Sequence, residues 1–173
     1  MSENTLDQVL TLRREANQDI VNVDEPLVKL VVFELSGERF AFHGERIREI
    51  LAHTEVFFVP GCPASLEGVI NVRGDIESVI RPHEMLQLPD HAAPEPGRAS
   101  SILLGQGGGI RSGIRVDRVI DVMDVLHSDI QPPPASLPEH MRSLVLGVLR
   151  VGGQAVALLD LDRMFADYAR GLG

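Results

Sequence analysis

The stretch GVINVRGDIESVIRPHEML (residues 68–86) lies without a gap over GVLRVGGQAVALLDLDRMF (residues 147–165). Gly68 meets Gly147, Val69 meets Val148, Val72 meets Val151, Gly74 meets Gly153 and Met85 meets Met164. Between them aliphatics face aliphatics: Ile70 with Leu149, Val79 with Leu158, Ile80 with Leu159; Leu86 faces Phe165. Each copy reads as a strand, a Gly-centred turn, a strand and a short helix, in which Pro82 suits the first helical position of one copy and Asp160 caps the other. Further upstream, ERIREIL (45–51) parallels DRVIDVM (117–123), and the second copy carries seven more residues between its two blocks. Two blocks repeated in one order identify an internal duplication, with copies near 45–86 and 117–165. About five short strands per copy suit closure into a small barrel with no bare edge. The expectation is a mainly β protein of two five-stranded barrel lobes, packed about a pseudo-two-fold axis.

The rest of the chain fits that frame. Leu27 to Leu35 is a Val-rich apolar strand, Ser36-Gly37 a turn, and Arg39 to Phe42 the returning strand. Ile47 to Leu51 and Val56 to Val59 are further strand candidates, as are Ser101 to Leu104, Ile114 to Val116 and Val119 to Leu126. Pro60-Gly61-Cys62-Pro63 is strong turn chemistry. Residues 87–99 form a Pro- and Ala-rich connector, and Pro132-Pro133-Pro134 marks a long loop over 127–143. Ahead of the β region, Thr5 and Gln8 form a capping box. Leu6, Val9, Leu10, Ala16 and Ile20 then recur at helical spacing over residues 5–20. Such a helix suits packing on its own domain as well as docking a partner. The organisation is an N-terminal helical extension (1–26), a duplicated domain of two interleaved β-barrel lobes (27–168) and a short tail (169–173).

Composition narrows function. Of 173 residues, 44% are apolar and 24% charged, the mix of a globular domain. A net charge of −9, with arginines interleaved among acids, opposes a phosphate-backbone partner, and 4% aromatics leave little to stack on bases. A single cysteine permits no internal disulfide and points to a reducing, cytoplasmic setting; no apolar run approaches the length of a membrane span.

Catalytic chemistry finds no constellation. Cys62 sits in a rigid turn, and a nucleophile there needs a base, the nearest in sequence being His53. None of His43, His53, His83, His91, His127 and His140 has metal-ligand spacing, so neither metal nor cofactor is expected. Gly105-Gln106-Gly107-Gly108-Gly109 lacks the Lys-Ser/Thr and helix of a phosphate loop and reads as a hairpin turn. In the 45–51 block, Arg46 and Arg48 share one strand face, which Leu51 joins only where the strand twists, opposite Glu45, Ile47 and Glu49. The pattern is not clean apolar-in, polar-out alternation. An exposed aliphatic rimmed by charge suits a protein contact, and a bulged strand gives the same pattern.

Ile47-Arg48-Glu49-Ile50-Leu51, Val59-Pro60-Gly61-Cys62-Pro63 and Gly68-Val69-Ile70-Asn71-Val72-Arg73-Gly74 together resemble the CheW family of bacterial chemosensory adaptors. The resemblance continues through Val116-Asp117-Arg118-Val119 and Leu158-Leu159-Asp160-Leu161. It implies SH3-like five-stranded barrels. It also implies a non-enzymatic scaffold that couples the cytoplasmic tip of methyl-accepting receptors to a CheA-type histidine kinase, recruited to membrane-associated arrays. On the matching positions, the receptor-facing groove falls at Asn71, Arg73 and Ile76, and the kinase-facing surface at Ile47, Glu49 and Ile50. One departure stands out: where the family pattern has Pro-Val-Ile/Val-Asp-Leu, this chain has Ser78-Val79-Ile80-Arg81-Pro82. Arg81 beside Arg73 would bring like charges together if the two approach. That departure keeps open an alternative, a divergent adaptor of a specialised, non-flagellar pathway with one partner surface lost or altered.

Overall fold

The structure is a computed structural model that describes residues 25–52, 54–89 and 100–171. The expected N-terminal helix, His53 and most of the connector lie outside the described residues. Ten strands account for most of the described chain: β1 (Leu27–Leu35), β2 (Glu38–His43), β3 (Ile47–Ala52), β4 (Leu66–Val72), β5 (Asp75–Ile80), β6 (Ser101–Gly107), β7 (Ile110–Val116), β8 (Arg118–Leu126), β9 (Val145–Val151) and β10 (Gln154–Leu159). Helices are short at α1 (Pro82–Met85) and α2 (Glu139–Arg142) and longer at α3 (Leu161–Gly171). As the sequence indicated, the Asp160 carboxylate accepts from the N–H of Arg163 at 3.1 Å, capping α3. The 56–59 segment, expected as a strand, makes only a bridge from Phe57 to Val69.

The strands form two five-stranded sheets, ordered β8-β1-β2-β10-β9 and β3-β6-β7-β5-β4. The duplication is legible residue by residue. Leu158 pairs with Ala41 in one sheet as Val79 pairs with Gly113 in the other, and the bridge from Phe57 to Val69 is matched by Gln131 to Val148. Neither copy closes its own set of strands, however. Each sheet takes two strands from one copy and three from the other, and the joins β1·β8, β3·β6, β2·β10 and β5·β7 all run between copies. Within a copy only hairpins remain, and an isolated hairpin is marginal in water. Neither half therefore carries a complete sheet.

Burial follows from this exchange. Along β1, Leu30 and Val32 join a small cluster on one face with Leu149, Val156 and Leu158, while Val31, Phe33 and Leu35 face a larger central cluster. With both faces covered, the strand needs a continuous apolar run rather than alternation. The second sheet has the equivalent small cluster: Ile70, Val79, Ile102 and Leu104. Phe33, Phe40, Phe42, Phe165 and Tyr168 concentrate in the central cluster, where Phe33 and Phe42 rings lie 4.9 Å apart. Gly68 and Gly147 occupy equivalent close approaches: a Cβ at Gly68 would collide with the carbonyl of Phe57, and one at Gly147 with Ile130 and with Gln131 O at 2.8 Å.

Candidate partner-binding site

The β4–β5 turn presents the first group of sequence-predicted residues. Arg73 and Gly74 both have positive φ, 50° and 93°, as a two-residue hairpin turn requires. Gly accepts that backbone freely, whereas Arg73 is held there at some cost. The Asn71 carboxamide oxygen accepts the N–H of Gly74 at 2.8 Å, so Asn71 fixes the turn. Ile76, paired across from Asn71, is 67% exposed and has no apolar cover.

The second group lies on β3. Glu45 and Arg46 belong to a 3-10 turn before the strand, and the register shifts between Ile47 and Glu49. Despite the bulge, burial alternates along β3: Ile47, Glu49 and Leu51 lie on the inner face, Arg48, Ile50 and Ala52 on the outer one. Leu51 turns inward to its sheet's own cluster instead of joining Arg48, and Ile47 is half-buried against the central cluster. Ile50, 41% exposed, is the aliphatic residue of the three that β3 presents outward.

The two groups, expected as separate surfaces, meet. A guanidinium nitrogen of Arg73 donates to both oxygens of Glu49, at 2.6 and 2.7 Å. Glu49 holds the Arg73 pKa above its ordinary value, through the hydrogen bond first and its charge second. Arg48 donates to Glu77 on β5 at 3.0 Å, and Arg111 on β7 lies 3.5 Å from the same carboxylate. β3 and the β4–β5 hairpin are at opposite ends of the strand order, so these contacts require a strongly curled sheet. Copy two has no counterpart: Gly152 replaces Arg73 and Asp121 replaces Glu49.

The departure residues fall elsewhere. Ser78 shares a hydrogen bond with the buried Ser112 (2.8 Å). Pro82 is buried at the start of α1. Arg81 and Arg73 stand at opposite ends of β5, roughly 20 Å of extended chain apart, so the repulsion envisaged between them does not arise. Arg81 instead lies near Asp117. That carboxylate accepts from the Ser36 N–H at 2.7 Å and contacts His83 Nε2 at 3.0 Å, tying the β1–β2 turn and α1 to the start of β8. Burial pushes the Asp117 carboxyl up, but His83, the Ser36 N–H and the Arg81 charge together hold it below its ordinary value. Because the folded value is depressed, Asp117 adds stability above the ordinary carboxylate range and loses it as pH falls through the depressed value. Asp117→Asn is expected to cost about 1–2 kcal/mol at neutral pH, discounted for partial exposure. Urea denaturation should show that difference shrinking well below the ordinary carboxylate range; a constant difference would deny the charge its role.

Among the described residues no group of three or more His, Cys, Asp and Glu side chains is placed to hold a metal ion, and no helix is long and apolar enough to cross a membrane. Exposed aliphatics rimmed by ion pairs on a rigid, curled sheet define a docking scaffold, whose chemistry is recognition.

Comparison with known proteins agrees. The family model for the CheW-like domain matches residues 29–169. The chemotaxis protein CheW of Rhizobium meliloti (strain 1021) is 31% identical over 142 residues, 82% of this chain and 90% of that protein. CheW of Treponema pallidum (strain Nichols) is 27% identical over 146 residues, covering 83% and 85%. In structure, the scaffolding protein TtCheW from Thermoanaerobacter tengcongensis matches with a TM-score of 0.71 over 81% of this chain and 93% of that one, at 24% identity. This chain belongs to the CheW-like family and is a coupling adaptor of the chemotaxis type.

The sequence missed the Arg73–Glu49 contact, because the two residues sit on segments that only the curl of the sheet brings together. It also passed over Phe57 and Phe58, 51% and 77% exposed, although two adjacent aromatics in a chain with seven were a signal in plain view.

Proposed function

We propose that this protein joins the cytoplasmic tip of methyl-accepting receptors to a CheA-type histidine kinase, as a cytoplasmic component of membrane-associated arrays and without chemistry of its own. Each curled sheet is a small SH3-like barrel, and the pair is related by a pseudo-two-fold axis. Asn71, Arg73 and Ile76 face the receptor; Ile47, Glu49 and Ile50 face the kinase. The observation that carries the reading is the Arg73–Glu49 pair, which ties the β4–β5 hairpin to β3, the two segments that carry the exposed aliphatics Ile76 and Ile50. An apolar contact bounded by a charge pair suits two partners that must be held in fixed register. Of the kinase-facing residues, Ile50 supplies the contact, while Ile47 anchors β3 to the core.

Substituting each aliphatic separately tests the assignment. Ile76→Asp is expected to weaken binding of a receptor signalling fragment about tenfold and leave kinase affinity unchanged; Ile50→Asp should do the reverse. Both residues are exposed, so melting should hardly move. Titrations in which either variant loses both partners, or neither, would refute the division. The alternative, a specialised non-flagellar pathway with an altered partner surface, draws on Arg81 standing where the second copy has Asp160. Arg81 adjoins Asp117 rather than Ile76, which favours the first reading.

A further inference from the structure

Five of the seven aromatic side chains are buried in the central cluster; the two that remain, Phe57 and Phe58, are adjacent and exposed. Their backbone is firmly held. Phe57 N–H donates to Val69 O at 2.8 Å, Val69 N–H donates back to Phe57 O at 2.9 Å, and Gly68 leaves no room beneath for a Cβ. The duplication supplies an internal control. In the second copy Gln131 makes the same two bonds with Val148, each at 2.8 Å, over Gly147, followed by Pro132. The frame is built equally well without aromatics, so Phe57 and Phe58 are not there to hold it.

Cross-strand partners share a face of a sheet. Val69 pairs with Phe57 on one side and Ser78 on the other, and Asn71 pairs with Ile76 in the neighbouring row. Phe57, Val69 and Ile76 therefore make an apolar diagonal across β4 and β5, roughly 12 Å long from strand spacings. That length matches about two turns of helix presenting residues i, i+4 and i+7. The same sheet is partly covered by α3, which sets Leu161 and Phe165 against Gly105 on β6 and Tyr168 against Ser78 on β5, while Phe57 and Ile76 stay exposed. Glu55 and Asp75 stand exposed at the two ends of the diagonal, and neither is in an ion pair among the described residues.

We propose that Phe57 and Phe58 are a second anchor of the receptor-facing site: an amphipathic receptor helix lies across β4 and β5 from Phe57 to Ile76, its apolar stripe flanked by Lys or Arg that meet Glu55 and Asp75. This rests on the receptor-facing reading of Ile76. The rigid backbone lets the aromatics bind with little ordering cost, the setting in which aromatic anchors contribute most.

The test uses the full chain and the isolated cytoplasmic signalling fragment of a receptor from the same cell. Phe57→Ala/Phe58→Ala is expected to weaken fragment binding about tenfold or more, with unchanged melting and kinase affinity. Gln131→Ala/Pro132→Ala should leave fragment binding as it was. If Ile76→Asp weakens the fragment and the double-Phe variant does not, the anchor is overturned and the receptor reading stands. If neither variant affects the fragment, both fall. Loss of kinase binding alone, or of self-association alone in sedimentation, would assign the aromatics to the kinase or to a second copy and overturn the helix. Glu55→Lys/Asp75→Lys is expected to weaken the fragment further; a gain would contradict the basic flank.

Discussion

Phe165→Ala is expected to lower stability by about 3–5 kcal/mol, the cost of truncating a fully buried aromatic. Phe165 lies on α3, is fully buried, and reaches across to β6, where Gly105 offers no Cβ to obstruct it. The central cluster it fills is shared by both sheets, so the cavity left behind would border residues of both copies. Neither half can collapse independently to fill it, because every sheet join except the hairpins runs between them. At this chain length the melting temperature should fall by about 10 °C. The transition should stay single, since one cluster serves both sheets. Calorimetry that resolved two transitions, or a drop of only a degree or two, would contradict a shared core.

Arg73→Glu carries the largest expected effect on binding. The substitution faces Glu49 with a second carboxylate in a turn that the wild-type pair bridges at 2.6 Å. Arg73 itself is exposed, so the fold should survive with its melting temperature unchanged. Receptor-fragment affinity should fall about 10- to 100-fold, because the positive rim beside Ile76 is lost and the ion pair with Glu49 becomes a repulsion. A Glu49→Arg/Arg73→Glu exchange restores an ion pair but moves the positive charge onto β3. It is expected to leave receptor binding weak while removing the repulsion. Isothermal titration of both variants decides the matter: an unchanged affinity for the single variant removes Arg73 from the site.

What the amino-acid sequence determined by itself was local and periodic. The aligned hairpins, their Gly turns, the apolar runs of β1 and β9 and the Asp160 cap were readable because turn chemistry and apolar runs act over a few residues. The duplication was readable because the copies kept that chemistry in the same order. The sequence could not decide which copy supplies which strand to a sheet. Hairpins remain intact either way, and the exchange concerns only joins between residues far apart in the chain, such as Leu158 with Ala41. Two further features depended on tertiary structure. Packing decided which face of β3 was buried: Ile47, Glu49 and Leu51 alternate inward and Arg48 and Ile50 outward, a choice that mixed charges and aliphatics on both faces left unreadable. The curl of the second sheet then carried Arg73 onto Glu49, joining in space the two surfaces that the chain keeps on separate strands.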